Sequence, residues 1–187
     1  MSTIGFTIAL LVTLSACGPK QDAEAKLDAK PATRDNSLIG ASQADVSNIA
    51  KNLQIKHRVV TNTPSDKCQQ DIADGNCFEV ELTLTAKQAI AANGWQIHFS
   101  QIAPIQSFES AEFSVKHING DLHQISLTEN FKGFAENETK RILYRAMFWS
   151  LSETDAIPNY IVSAVNSNSA GKALKPEVIK SLSLIHI

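Results

Sequence analysis

Apolar and polar residues alternate along most of the chain that follows residue 52. The alternation occurs in the runs Leu53–Val59, Phe78–Leu84, Trp95–Phe99, Phe113–His117 and Ile125–Leu127. Because successive side chains of a strand point to opposite faces of a sheet, each run places one set of its side chains on a buried face. Lys140–Trp149 and Tyr160–Val165 are two further candidate strands. Short strands separated by turns predict an all-β fold, an antiparallel β-sandwich.

Two Asn-Gly pairs and one amphipathic stretch add local detail. Asn119-Gly120 and Asn93-Gly94 both predict tight turns, because both residue types tolerate a positive φ. The amphipathic stretch from Val46 to Leu53 predicts one short helix ahead of the first strand.

The N-terminal segment is predicted to be an export signal. Residues 4–16 are apolar apart from a few small residues, which suits the hydrophobic part of a signal peptide and is too short to span a bilayer. The segment ends in Leu14-Ser15-Ala16-Cys17, which resembles the lipobox of bacterial lipoproteins. That resemblance implies cleavage before Cys17 and diacylation of its thiol. An ordinary secretory leader that ends near a cysteine is the alternative.

The lipobox interpretation gives an expected layout and location. Residues 1–16 are the signal peptide, and residues 17–43 are a polar segment without a sustained apolar period, which we expect to be a flexible tether. Gly18, in place of aspartate, favours the outer membrane in lipoprotein sorting. We expect an exported protein that is lipid-anchored to the bacterial cell envelope, with the membrane as its partner through the acylated Cys17.

Composition narrows the functions open to the folded part. Hydrophobic residues make up 43% of the chain, enough for a core. The 17 Lys and Arg against 19 Asp and Glu lack the basic excess of a nucleic-acid-binding domain, so no nucleic acid partner is expected. His98, His117 and His123 have no carboxylates at metal-ligand spacing. We therefore predict a surface or hairpin role for them, with no metal site and no cofactor.

The other two cysteines, Cys68 and Cys77, flank a polar loop. In an exported chain such a pair predicts a disulfide bond. Closing a loop of about ten residues contributes roughly 2.7 kcal/mol in the chain-entropy model. A metal-binding pair is the alternative, although the spacing is wide for zinc and the sequence has no second pair.

A series of motifs in the folded part points to a particular family. The motifs are Gly94-Trp95-x-Ile97-x-Phe99, Phe113-x-Val115-x-His117-x-x-Gly120-Asp121-Leu122 and Phe131-x-Gly133-Phe134. Their order resembles the N-terminal domain of bacterial chitobiases and related β-N-acetylhexosaminidases, the family 20 glycoside hydrolases. The resemblance covers roughly residues 44–165. It implies a β-sandwich of the immunoglobulin-like or carbohydrate-binding-domain-like kind.

In that family the domain precedes a catalytic (β/α)-barrel whose acid is the glutamate of an Asp-Glu pair. No Asp is followed directly by Glu in this sequence, so no catalytic residue is predicted in it. We interpret residues 166–187 as a linker toward a barrel that lies outside this chain. The last residues, Leu182–Ile187, look like a translated sequencing-library adapter, and we expect the gene to continue into a catalytic domain.

Aromatic residues near the C-terminal end of the region 44–165 are candidate sugar contacts, because an aromatic ring can stack on the apolar face of a pyranose. We predict this role for Trp149, Tyr144 and Tyr160. Trp95 shares its face of the strand with Ile97 and is assigned to the core. Trp149 and Tyr144 have opposite parities in one predicted strand, so at least one should point outward.

Together the motifs imply a glycan-binding-like module of a lipid-anchored β-N-acetylhexosaminidase that acts on chitooligosaccharides or related N-acetylhexosamine glycans. Its expected partners are such a glycan and the catalytic barrel of the full-length protein. Two alternatives stay open. One is a stand-alone glycan-binding lipoprotein, and the other is a structural domain that packs against the barrel without binding sugar.

Overall fold

The computed structural model describes residues 40–62, 68, 76–150, 159–165 and 174–184. Its elements, in chain order, are α1 (Gln43–Asn52), β1 (Leu53–Thr61), β2 (Cys77–Ala86), β3 (Trp95–Ser100), β4 (Ile105–Glu109), β5 (Phe113–Asn119), β6 (Leu122–Leu127), β7 (Thr139–Met147), β8 (Ile161–Ala164), β9 (Glu177–Val178) and β10 (Lys180–Leu184). The predicted signal peptide, the acylated Cys17 and most of the predicted tether lie outside the described residues. Within those ranges, no helix is both long and apolar enough to cross a membrane.

The strands form two five-stranded sheets. The strand order is β10-β1-β2-β7-β4 in the first sheet and β5-β6-β3-β8-β9 in the second. Neighbouring strands are antiparallel except β1 and β10, which run parallel. The predicted all-β, antiparallel-rich sandwich with a short helix is confirmed.

Side chains from both sheets share one core, as the period-two alternation predicts. From the first sheet the buried residues include Ile55, Phe78, Val80, Leu82, Ile142 and Tyr144, and from the second they include Trp95, Ile97, Phe99, Phe113, Ile125 and Val162. The predicted assignment of Trp95 to the core is confirmed, since this residue is 0% exposed.

The helix α1 begins earlier than the amphipathic pattern indicates, because Ser42 caps it. The Asp45 backbone N–H donates to the Ser42 hydroxyl at 3.2 Å, and the Ser42 backbone N–H donates to the Asp45 carboxylate at 2.8 Å. The Ser42 hydroxyl also donates to the Asp45 carboxylate at 2.7 Å, and this bond, with that from the Ser42 backbone N–H, lowers the pKa of Asp45. Val46 and Ile49 are buried and join the core.

One of the two predicted Asn-Gly turns is present. Gly120 has a φ of +57° between β5 and β6, as a tight turn requires. The prediction at Asn93-Gly94 is wrong, because Gly94 forms a parallel bridge with Gly40 and its carbonyl accepts from the Val165 N–H at 2.8 Å. This glycine continues the pairing of β3 with the chain after β8 and does not reverse the chain.

The sandwich continues beyond Val165, where the sequence predicts a linker. The short strand β9 pairs with β8 in the second sheet, and β10 pairs with β1 in the first. Between these strands, Ile179 is buried and its N–H donates to the Tyr160 carbonyl at 2.8 Å. The edge strand β4 is also absent from the sequence prediction.

Candidate functional site

The structure places two of the three predicted sugar contacts in the core. Tyr144 and Tyr160 are 0% and 2% exposed. The ring of Tyr160 stacks on Phe99 with their centroids 5.5 Å apart. Burial raises the pKa of both tyrosine hydroxyls. The prediction that these residues contact a sugar is corrected, because both fall on the inward parity of their segments and their rings are covered by the core.

Trp149 is different, since this residue is 51% exposed. It borders a cleft of about 200 Å³, which we call the Trp149 cleft. The residues that line it are Phe78, Gln101, Ile102, Ala103, Phe148 and Trp149. None of the described residues that line the cleft has an ionisable side chain.

The cleft forms where strands of both sheets end. Phe78 lies at the start of β2, and Phe148 and Trp149 follow the end of the neighbouring β7. Gln101 begins the connection after β3, in the other sheet. The walls therefore rest on the rigid ladders of both sheets, an arrangement that favours a preformed site.

Hydrogen bonds hold the segment around Trp149 on both sides. Before it, the Phe148 N–H donates to the Asn76 carbonyl at 3.2 Å. After it, Ser150 forms a reciprocal pair with Asn62. The Ser150 N–H donates to the Asn62 side-chain oxygen at 2.9 Å, and the Asn62 amide donates to the Ser150 carbonyl at 2.8 Å. These contacts fix the backbone that presents the indole, so little ordering entropy remains to be lost on binding.

Phe148 adopts a left-handed backbone conformation, with a φ of +72°. This region is unfavourable for a bulky L residue, and such conformations concentrate at functional sites. Consecutive side chains of a strand would point to opposite faces. The left-handed turn breaks that rule, so that Phe148 and Trp149 line the same cleft.

Gln101 supplies a polar side chain to the lining of the cleft although the residue is only 3% exposed. Its backbone N–H donates to the Asp121 carbonyl at 2.8 Å. Its side-chain oxygen accepts from the Tyr144 hydroxyl at 2.7 Å. Within the described part of the chain, the Nε2 of Gln101 makes no hydrogen bond. A pair of amide N–H donors thus remains at a cleft that Gln101 helps to line.

A buried histidine lies behind this pair. His57 Nε2 is 3.3 Å from the Tyr144 hydroxyl oxygen. Burial lowers the pKa of His57 from its ordinary 6.5 to about 4, so the ring is neutral at pH 7. Among the described residues its Nδ1 has no hydrogen-bond partner. His57, Tyr144 and Gln101 form a continuous polar connection from the core to the cleft.

The predicted disulfide bond between Cys68 and Cys77 is present, with their Cα atoms 5.7 Å apart. Both cysteines are buried, and Met147 packs against the pair. Cys77 is the first residue of β2, directly before Phe78. The crosslink therefore anchors the end of the strand that supplies one wall of the Trp149 cleft.

Two of the three histidines that the sequence singled out, His117 and His123, serve the β5–β6 hairpin, whereas His98 lies on β3. The rings of His117 and His123 face each other across it, with centroids 5.1 Å apart. His117 Nε2 contacts the Gly120 carbonyl at 2.8 Å, and His123 Nδ1 contacts the Asp121 carbonyl at 3.0 Å. Burial lowers the pKa of His123. These contacts support the turn, which is the hairpin role that the sequence favours.

The Trp149 cleft combines two exposed aromatic rings, those of Phe148 and Trp149, with an apolar wall that includes the buried ring of Phe78, and with the amide of Gln101. Aromatic faces stack on apolar C–H faces, and a few placed polar groups orient a ligand. Sequence reasoning found Trp149 but missed Phe148 and Gln101. No motif marks Gln101, whereas the pair Phe148-Trp149 at the end of a strand was a visible signal of exposed aromatic surface.

Comparison with known proteins identifies the relatives of this domain. The family described as "Putative carbohydrate binding domain" matches residues 52–185. A β-hexosaminidase of Vibrio vulnificus is 40% identical over 124 residues, which cover 65% of this chain and 14% of the relative. The N,N'-diacetylchitobiase of Vibrio harveyi is 32% identical over 152 residues, which cover 79% of this chain and 16% of the relative. The chain thus spans about one seventh of the length of these relatives.

A solved structure of a family 20 exo-β-N-acetylglucosaminidase from Vibrio harveyi, in complex with N-acetylglucosamine, is 11% identical with a TM-score of 0.48. The aligned region covers 72% of this chain and 18% of that one. The family match, together with the two Vibrio relatives, confirms the resemblance drawn from the motifs. The chain belongs to this carbohydrate-binding domain family and is related to the N-terminal regions of β-hexosaminidases and chitobiases.

Proposed function

We propose that this domain binds glycans at the Trp149 cleft and acts as the carbohydrate-binding part of a β-N-acetylhexosaminidase. The observation that carries the proposal is the half-exposed Trp149, held by hydrogen bonds beside Phe148 and Gln101 in one cleft. The domain's family supports a sugar ligand, and the names of its relatives support an N-acetylhexosamine glycan.

The expected affinity is low. Each stacking contact contributes about 1 kcal/mol beyond area burial. A net hydrogen bond contributes about as much. Two rings and a few hydrogen bonds therefore give a dissociation constant near the millimolar range. Weak binding of this kind suits a module that keeps an enzyme near a polymeric substrate by repeated contact.

The hydrolytic activity is proposed to belong to a catalytic barrel encoded elsewhere in the same gene. The small share of each relative that this chain covers supports the proposal. Reading the genomic DNA past the codon for Lys180 tests it. An open frame that encodes an Asp-Glu pair and a barrel is expected, and a stop codon within a few residues would favour a stand-alone binding lipoprotein.

Anchoring and export are part of the proposal. The lipobox before Cys17, with Gly18 after it, supports an acylated protein on the outer membrane. The bond between Cys68 and Cys77 is compatible with an oxidising compartment. Mass spectrometry of the protein from its native compartment should find acyl chains on Cys17 and no free thiol at Cys68 or Cys77. An unmodified Cys17 would contradict the anchoring proposal.

A titration tests the binding function. Chitotriose is added to the purified protein while tryptophan fluorescence and heat are recorded. We expect saturation in the millimolar range, and a dissociation constant about tenfold higher for Trp149→Ala. Phe108→Ala is the matched control, since Phe108 is 38% exposed and does not line the cleft.

The titration also tests the main alternative, a structural domain that packs against the barrel without binding sugar. Ile102 is 62% exposed, and Phe148 and Trp149 are each 51% exposed, so the same surface could dock a protein. Absence of any response at ligand concentrations well above the millimolar range would reject glycan binding. It would favour a structural role in which this surface packs against the catalytic barrel. An equal loss in the Phe108→Ala and Trp149→Ala variants would also contradict the assigned site.

A further inference from the structure

We propose that Gln101 makes the Trp149 cleft selective for N-acetylated hexosamines, with Tyr144 as the positioning residue that aims its amide. This inference rests on the proposed glycan-binding function and deepens it. The group recognised would be the acetamido substituent. Its carbonyl oxygen would accept a hydrogen bond from Gln101 Nε2, and its methyl group would lie on the apolar wall.

The hydrogen-bond chain behind Gln101 determines which end of its amide is free. A neutral His57 carries a single ring proton. Placed on Nε2, that proton can be donated to the Tyr144 oxygen 3.3 Å away, whereas on Nδ1 it would have no acceptor within the described part of the chain. A buried N–H without a partner is more costly than a lone pair without one. The Nε2–H tautomer is therefore preferred.

This tautomer sets the direction of the next hydrogen bond. The Tyr144 oxygen already accepts from His57, so its own proton is donated to the Gln101 side-chain oxygen at 2.7 Å. The amide oxygen is thereby occupied on the core side. The NH₂ group of Gln101 therefore remains available at the cleft, where it can donate a hydrogen bond to a carbonyl or hydroxyl oxygen.

The surroundings of Gln101 favour an acetamido group over a hydroxyl. Ile102, Ala103 and Phe78 line the same cleft, so a ligand methyl group would be removed from water there. The cleft volume of about 200 Å³ is below the roughly 300 Å³ at which drug-sized pockets begin, so it suits one sugar residue with its substituent. A ligand without the carbonyl would leave a buried donor unpaired, and such a mismatch discriminates strongly.

The test compares two disaccharides that differ at this position. N,N'-Diacetylchitobiose carries acetamido groups where cellobiose carries hydroxyls. Both are titrated into the purified protein, and the ratio of their dissociation constants is the readout. We expect the acetylated sugar to bind about tenfold more tightly or better.

Three variants test which residues cause the difference between the dissociation constants of the two sugars. Gln101→Glu keeps the shape but replaces the donor by an acceptor, and it should reduce the ratio to near one. Gln101→Leu removes the donor without adding a charge and should do the same, which guards against a misfolded Glu variant. Tyr144→Phe frees the amide to turn and should lower the ratio while the protein stays folded. Gln96→Glu is the control, because this half-buried glutamine of β3 does not line the cleft.

The outcomes distinguish the two proposals. If neither sugar binds, glycan binding itself fails and this inference fails with it. If both bind equally to the unaltered protein, or if the preference survives both Gln101 variants, glycan binding stands and the selectivity proposal is overturned. A lost preference in Gln96→Glu would also overturn it.

Discussion

The two tryptophans of this chain occupy opposite environments. Trp95 begins β3, is 0% exposed, and donates its indole N–H to the Ala91 carbonyl at 3.1 Å. Its ring meets Phe131 edge to face, with centroids 5.5 Å apart. Trp149 follows β7, is 51% exposed, and lines a cleft. The same side chain therefore packs in the core in one region and lines an accessible cleft in the other.

The difference comes from where each residue lies relative to the sheet ladders. Trp95 has a cross-strand partner and follows the inward parity of its strand. Trp149 lies past the last ladder pair of β7, beyond the left-handed Phe148. Within a ladder, the pleat of the strand determines which face of the sheet an aromatic side chain points to. Just beyond the ladder, the local backbone conformation determines its direction.

Replacing each tryptophan by alanine gives the largest contrast. Trp95→Ala removes a fully buried ring and leaves a cavity, so the free energy of unfolding should fall by about 3–5 kcal/mol. Urea denaturation followed by circular dichroism measures it. A loss below about 1 kcal/mol would contradict the packing role of Trp95.

The disulfide bond should matter next most. The double variant Cys68→Ala, Cys77→Ala removes the crosslink and should lower the free energy of unfolding by about 2–3 kcal/mol. Since Cys77 precedes Phe78, glycan binding should also weaken. The oxidised protein is compared with the variant with and without reductant. If reduction leaves the unfolding transition of the unaltered protein unchanged, the crosslink does not stabilise the cleft region.

Acid should destabilise the core through His57. Its pKa of about 4 lies below the ordinary 6.5, so the unfolded chain takes up the proton first and stability is lost as the pH falls from 6.5 to 4. Between pH 8 and pH 5 this loss is about 2 kcal/mol. Burial also lowers the pKa of His98 and His123, which act in the same direction.

The variant His57→Gln isolates the contribution of His57. Its free energy of unfolding should depend less steeply on pH over the same range, whatever its stability at pH 8. Urea denaturation at a series of pH values gives both slopes. An unchanged slope would show that His57 is not the group that titrates.

The smallest expected effect on stability is that of Trp149→Ala. A half-exposed side chain outside the ladders should change the free energy of unfolding by no more than about 0.5 kcal/mol. The same urea experiment measures it. A loss comparable to that of Trp95→Ala would remove the contrast between the two regions.

The sequence predicts the ladders well because their signal is local. Period-two runs identify the strands that hold Ile55, Leu82 and Trp95, and the Asn119-Gly120 pair identifies one turn. The strand β4 escapes prediction because it is short and at a sheet edge. None of its five residues is buried, and its apolar residues Ile105 and Phe108 are an odd number of positions apart, so the run has no period-two apolar pattern. The strands β9 and β10 escape because they are held by partners far away in the chain.

The candidate site is less visible in the sequence because it depends on where strands end. The sequence predicts that Tyr144 and Trp149 lie in one strand and point to opposite faces. The strand β7 ends at Met147, so the alternation of the strand does not determine where Trp149 points. Gln101 carries no motif, and its role arises from a hydrogen bond to Tyr144 across 43 positions of sequence. Neither the left-handed Phe148 nor that contact follows from local composition.

We propose that Trp149, and not Trp95, faces the glycan. The chain has 2 tryptophans, so an ¹⁵N–¹H correlation spectrum contains one indole signal from each. N,N'-Diacetylchitobiose is added stepwise to the purified protein. We expect the Trp149 indole signal, assigned through Trp149→Ala, to shift with ligand while the Trp95 signal stays in place. A stationary Trp149 signal at saturating sugar, or a shift confined to Trp95, would contradict it.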